Sequence, residues 1–187
     1  MIRELGKGDI AECANILVPI FRDRLVFLTE KTGEAKKFVA KALSISKSYK
    51  IIDVEKNKVR GVAIAEIVNN EPYFELAKLC LREMSIWTAL KTFVMALVSQ
   101  MTSPRIPGPE AFLLVVGVKE SEQGKGIGTR LLKKMESDLK KKKVPQMGLF
   151  ASTENPEAVD FYLRNGYAEV KKFGSVMGRY IYMRKKL

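Results

Sequence analysis

The stretch Gly117-Val118-Lys119-Glu120-Ser121-Glu122-Gln123-Gly124-Lys125-Gly126-Ile127-Gly128-Thr129-Arg130 decides the fold. Upstream, Phe112 to Val118 is an unbroken apolar run, the pattern of a strand covered on both faces. Downstream, Ile127, Leu131, Leu132, Met135 and Leu139 recur at helical spacing, so a helix runs from about Gly126 to Lys141. A buried strand thus runs out into three alternate glycines, and a helix begins inside them. Such a turn aims backbone N–H groups at one spot, where the positive end of the helix dipole adds to them. Glycine serves there because side chains would block close approach and because some positions require positive φ. The expected ligand is a phosphate or pyrophosphate, with Lys125 and Arg130 able to add charge. A plain strand-to-helix corner would carry the same glycines.

Two phosphate motifs are set aside. There is no Gly-x4-Gly-Lys-Ser/Thr, so the turn is not a P-loop. A dinucleotide site expects an acid at the end of the next strand, yet the chain passes through Lys140 to Lys143 and reaches Ser152 without one there.

Working outward, residues 2–5 form a short first strand. Asp9 with Glu12 three residues on suggests a capping box for a helix carrying Ile10, Cys13, Ala14, Leu17, Ile20 and Phe21. Pro19 should kink or end it. A second helix runs from near Thr32 to Ser46. Ile51 to Val54 and Val59 to Val68 are strands joined at Glu55-Lys56-Asn57-Lys58. From about Glu83 to Met101 comes an apolar helix; Lys91 in its middle argues for a packed helix over a membrane span. Gln146 to Ala151 is a strand. Asn155-Pro156 starts a short helix that Gly166 ends. Tyr167 to Lys172 and Arg179 to Arg184 close the chain as a strand pair. The expected class is α/β, with a mixed central sheet of about six to seven strands, flanking helices, and a helical insertion before the strand at 112–118.

Composition narrows the chemistry. A 187-residue chain with 47% hydrophobic and 29% charged residues fits one soluble globular domain over 1–187. Met1 to Lys7 lacks the apolar region of a signal peptide, and Cys13 and Cys80 make no disulfide framework, so the expected compartment is the cytoplasm. There is no His, which excludes Ser-His-Asp and Cys-His sites, His-based zinc sites and an imidazole base. No metal is expected. A net charge of +12 points to an anionic partner. Lys140 to Lys143 reads as a solvated helix end ahead of a cofactor-side rim or a nucleic-acid contact, since no aromatic stacking pattern accompanies it.

The chain resembles the GNAT superfamily of N-acyltransferases. Gln123, Gly126 and Gly128 match the family's Gln/Arg-x-x-Gly-x-Gly/Ala after a strand. Asn155-Pro156-Glu157-Ala158-Val159-Asp160-Phe161-Tyr162, followed by Gly166-Tyr167, matches its Asn-x-x-Ala-x-x-Phe-Tyr with a Gly-aromatic pair. Two motifs at the family's usual separation are far more specific than either alone, and the match covers 112–167.

The resemblance implies acetyl-CoA as cosubstrate and a small-molecule or peptide amine as acceptor, attacked directly in a ternary complex. It implies that Val116, Gly117 and Val118 bind the pantetheine arm on a strand splayed from its neighbour, a backbone N–H there polarising the thioester. The pyrophosphate would sit on Gln123, Gly124, Lys125, Gly126, Ile127, Gly128 and Thr129. Asn155 would bond near the pantetheine, although a helix cap explains it equally. Tyr162 would protonate the departing thiolate. For the base, Glu66, Glu110 and an ordered water stand level. The insertion, about residues 70–108, departs from the family's short turn; it would cover the acceptor side or form a homodimer contact. A non-catalytic acyl-CoA sensor is the alternative, and a basic nucleic-acid-binding domain stands behind both.

Overall fold

The computed structural model describes residues 1–21, 31–67, 110–175 and 178–187. Seven strands form one mixed sheet: β1 (Ile2–Glu4), β2 (Tyr49–Glu55), β3 (Lys58–Ile67), β4 (Ala111–Val118), β5 (Gln146–Ser152), β6 (Ala168–Ser175) and β7 (Gly178–Lys186). Their spatial order is β1-β2-β3-β4-β5-β7-β6, and every neighbouring pair is antiparallel except β4 with β5. Four helices flank the sheet among the described residues: α1 (Ile10–Ile20), α2 (Thr32–Ile45), α3 (Ile127–Lys141) and α4 (Pro156–Arg164). The mixed α/β sheet expected from the sequence is therefore present, with seven strands. The expected insertion at 70–108 and its helix at 83–101 lie outside the described residues.

Two cores sandwich the sheet. On one face the apolar stripe of α3 packs down: Leu131, Leu132, Met135 and Leu139 are fully buried against Ala63, Leu113, Met147, Leu149 and Met183. Removing each such side chain from water stabilises the fold by roughly 1.5–3 kcal/mol. Helix α4 adds Val159, Phe161 and Tyr162 to the same layer. On the opposite face, α1 through Cys13, Ala14 and Leu17, and α2 through Ala35, Val39 and Leu43, cover Ile52, Val62, Ile64 and Val115. Among the described residues no helix is long and apolar enough to cross a membrane, and no cluster of His, Cys, Asp or Glu could hold a metal.

The start of α1 differs from the expected capping box. A 3₁₀ turn at Lys7–Asp9 precedes the helix, and Asp9 caps it with no side-chain bond. Its carboxylate is instead taken by Arg3, whose Nη1 and Nη2 donate at 2.6 and 2.9 Å, and by the Gly6 N–H at 2.8 Å. Glu12 is drawn away as well: its Oε2 accepts the Val59 N–H at 2.6 Å, tying α1 to β3. A two-pronged guanidinium and a strand amide outbid the local cap because bonds to a charged partner are the stronger ones. Pro19 ends α1, which stops one residue later. At the β2–β3 turn, Lys56 and Asn57 both take positive φ, 48° and 60°, as a tight two-residue hairpin turn requires.

Candidate active site

The parallel pairing of β4 with β5 is short. It joins Ala111, Phe112 and Leu113 to Met147, Gly148 and Leu149 and then stops, although β4 continues to Val118 and β5 to Ser152. Strand β5 goes on pairing with β7, and β4 with β3, so the two strands diverge from each other and leave a wedge. A bulge starts the divergence. Ile64 opposes Val115 while Ala65 opposes Leu113, so Leu114 has no partner and β4 bends there. Val116, Gly117 and Val118 therefore line the wedge with backbone groups that β5 does not engage. Gly117 has a further reason to be glycine: a Cβ there would lie 2.7 Å from Ile20 Cδ1 on α1. Its small size serves helix packing on the far side of the strand.

The wedge opens into the glycine turn. Gly124 and Gly126 take φ of +76° and +71°, a conformation that favours glycine, and a Cβ at either would point into open space. Gly128 is held differently, since a Cβ there would touch the Phe161 ring at 3.4 Å. Gly126 is the N-cap of α3, and the first intrahelical bond to it comes from Arg130 at 3.0 Å. The amides of Ile127, Gly128 and Thr129 thus have no acceptor within the helix. The amides of Gly124, Lys125 and Gly126 make no hydrogen bond among the described residues either. Six consecutive N–H groups stand ready for an anion. Gln123 folds back, its Nε2 reaching the Val118 carbonyl at 3.4 Å.

The two cations expected beside this turn are already engaged. Lys125 pairs with Glu122 at 3.2 Å. The guanidinium of Arg130 donates to the Lys125 carbonyl at 3.1 Å and to Asp53 Oδ2 at 2.8 Å. Asp53, on β2, is 1% exposed and also accepts Arg60 Nη2 at 2.8 Å. Burial pushes its pKa up, but the Arg60 and Arg130 hydrogen bonds outweigh that and hold it below the usual carboxylate range. Asp53 is not among the residues that the motifs single out, although a single acid between Ile52 and Val54 in a buried strand is a signal that a cation must come from elsewhere.

Tyr162, on α4, is partly buried on the α3 side of the sheet, with ring centroids 5.1 Å from Phe161 and 5.7 Å from Tyr167. Its hydroxyl makes no hydrogen bond among the described residues, and burial pushes its pKa up to about 12. A phenol so placed stays protonated at neutral pH. Asn155 caps α4 through Oδ1, which accepts the Ala158 N–H at 3.0 Å; its amide nitrogen makes no hydrogen bond among the described residues.

Glu66 and Glu110 reach the same face of the sheet, opposite α3 and α4. Glu66 pairs in register with Phe112, and Glu110 lies two residues before Phe112, so alternation places all three on one side. Their settings differ. Glu66 is partly exposed. Glu110 is fully buried at the closed end of the wedge, where the Tyr182 hydroxyl donates to both carboxylate oxygens at 2.8 and 2.9 Å. Burial raises its pKa, with the Tyr182 bond opposing. Glu66 is therefore reachable from solvent, whereas the Glu110 carboxylate is sealed. Gly148 makes room for Glu110, since a Cβ there would collide with the carboxylate and sit 2.8 Å from Tyr182 Cε2. Gly148→Ala is accordingly expected to cost about 1–3 kcal/mol of stability. Denaturant unfolding of the variant beside the parent checks it, and equal midpoints would contradict this packing.

Beyond the glycine turn, a cavity of about 560 Å³ opens between α3, α4 and β7, lined by Thr129, Lys133, Phe161, Arg164, Asn165, Gly166 and Lys185. Lys185 is tied to Glu136 at 2.7 Å and to the Asn165 carbonyl at 2.9 Å, whereas Lys133 and Arg164 make no ion pair among the described residues. Lys140 to Lys143 lie at the other end of α3, roughly 20 Å from the turn at 1.5 Å per residue, and so form no rim of this site. Lys142 instead lies 4.1 Å over the Tyr49 ring.

Known proteins agree with this architecture. No curated protein matches the chain. Among solved structures, an N-acetyltransferase from Staphylococcus aureus Mu50 superposes with a TM-score of 0.73 at 17% identity, covering 99% of this chain and 100% of that one. The PaiA N-acetyltransferase of Thermoplasma acidophilum, solved in complex with coenzyme A, gives 0.62 at 16% identity over 100% and 98%. A ribosomal-protein-alanine N-acetyltransferase from Brucella melitensis gives 0.62 at 14% over 100% and 99%. At these identities the likeness speaks for the fold alone. The family model described as Acetyltransferase (GNAT) family matches residues 47–167, more than half of the chain and the whole of the wedge and glycine turn. The chain belongs to the GNAT acetyltransferase family.

Proposed function

We propose that the protein is a cytoplasmic N-acetyltransferase that moves an acetyl group from acetyl-CoA to a primary amine on a small molecule or peptide, by direct attack in a ternary complex. One observation carries the reading: among the described residues, the edge of β4 that β5 leaves unpaired leads directly into six unengaged amides at the N-terminus of α3. An extended, amide-containing arm ending in a pyrophosphate is the ligand shape that uses both. The wedge would take the pantetheine arm on Val116 to Val118, and the turn would take the pyrophosphate. Lys133 and Arg164, in the adjoining cavity, would face the 3′-phosphate. An N–H of the β4 edge would donate to the thioester oxygen as it gains negative charge. Tyr162 would hand its proton to the departing sulfur, and Glu66, directly or through water, would take one from the amine. Glu110 would hold Tyr182 and the closed end of the wedge in place.

The test is a calorimetric titration with acetyl-CoA and with its analogue lacking the 3′-phosphate. Acetyl-CoA should bind at one site per chain, and the analogue more weakly. No binding of acetyl-CoA would overturn the reading.

A further inference from the structure

The cations nearest the glycine turn are expected to grip the ligand's phosphates, but Arg130 is spoken for. One prong of its guanidinium donates to the Lys125 carbonyl inside the turn and another to Asp53 on β2. Asp53 is fixed in turn: it is almost fully buried and also receives Arg60, whose Nη1 is held by Glu55 at 3.0 Å. Arg60 grips the turn a second time through its backbone, because the Lys119 N–H donates to the Arg60 carbonyl at 2.8 Å. The turn from Lys119 to Gly126 is thus anchored to the β2–β3 hairpin at its start and near its apex.

We infer that Asp53 is a positioning residue for coenzyme A binding, acting through Arg130 to hold the Lys125 carbonyl and so to keep the amides of 124–129 aimed at one point. The inference rests on the proposed acetyl-CoA reading. Its physical basis is pre-organisation. Gly124 and Gly126 offer no side-chain restraint, and glycine pays the largest ordering cost of any residue. An anion site made of backbone amides is only as good as the rigidity of its turn. The Asp53–Arg130–Lys125 relay supplies that rigidity from β2, which β3 separates from the wedge, and the carboxylate stays charged at neutral pH because two guanidiniums hold it.

The alternative, that Arg130 contacts a phosphate directly as a charge, makes opposite predictions. Under the relay, Asp53→Asn should raise the KM for acetyl-CoA about 10-fold, the scale of one lost charge-assisted hydrogen bond, and the loss should fall on KM and not on kcat. Arg130→Lys keeps the charge but cannot span both acceptors, so it should lose affinity to a similar degree. Because Arg130 is half exposed, that variant folds even if Asp53→Asn is unstable. The experiment is acetyl-CoA titration by calorimetry with steady-state kinetics on the parent and both variants. Parent-like affinity in Arg130→Lys, or parent-like or tighter binding in a folded Asp53→Asn, would overturn the relay. If the parent itself bound no acetyl-CoA, the cofactor reading would fall and the relay with it, an outcome distinct from the other two.

Discussion

Gly126→Glu is expected to abolish acetyl-CoA binding and leave the protein folded. Gly126 sits at the N-cap of α3 with φ +71°, and a Cβ there would meet no atom within 4 Å, so the substitution collides with nothing in the fold. The fold pays only for left-handed backbone in a non-glycine residue, about 1–2 kcal/mol. The ligand loses far more. A side chain would stand in the open space above six free amides, and its carboxylate would occupy the positive end of the helix in place of the pyrophosphate. The expected loss of affinity is ~10²-fold or more, about 2.8 kcal/mol. Gly126→Ala isolates the backbone strain and should bind between parent and Glu variant. Calorimetry with a thermal melt of each protein checks both halves. Unchanged affinity in a folded Gly126→Glu protein would show that the ligand does not lie on this turn.

Tyr162→Phe should lower turnover by ~10²-fold, the lower end for general acid–base catalysis, while acetyl-CoA affinity stays near the parent's. The ring packs between Phe161 and Tyr167, and phenylalanine keeps that packing. The hydroxyl makes no hydrogen bond among the described residues, so removing it breaks none of the structure seen there. Its pKa near 12 keeps it protonated across the neutral range, which is the state a proton donor needs. The parent's pH–rate profile should therefore show no loss from tyrosine ionisation below about pH 10. Turnover equal to the parent's at saturating acetyl-CoA would mean that Tyr162 is only a packing residue and that the thiolate leaves by another proton source.

The parts of the site that were legible in the sequence are those fixed by local rules. The glycines between an apolar run and an amphipathic helix specify the strand-to-helix turn, because the positive φ of Gly124 and Gly126 and the free helix-start amides are short-range properties. The cap at Asn155 followed by Pro156 came out as read, for the same reason. What stayed hidden depends on partners far along the chain. Asp9 and Glu12 have the spacing of a capping box, but Arg3 and the Val59 amide claim them. Asp53 and Arg130 are 77 residues apart, and no local pattern announces their pairing. The continuous run 112–118 gives no sign that Leu114 is a bulge or that pairing with β5 ends at Leu113, since both depend on register with other strands. Glu110 carries the same letter whether it borders an open cleft or lies sealed under Tyr182.

The most direct test of acetyl transfer is amine-dependent release of free thiol from acetyl-CoA, measured across a panel of small primary amines and peptides, with mass spectrometry of the amine product. At least one amine should raise thiol release well above the rate without amine and be recovered acetylated, and Tyr162→Phe should suppress both. Acetyl-CoA that binds at the glycine turn but yields no amine-dependent thiol with any member of the panel would contradict acetyl transfer, and would mark the protein as a binding module on the acetyltransferase fold.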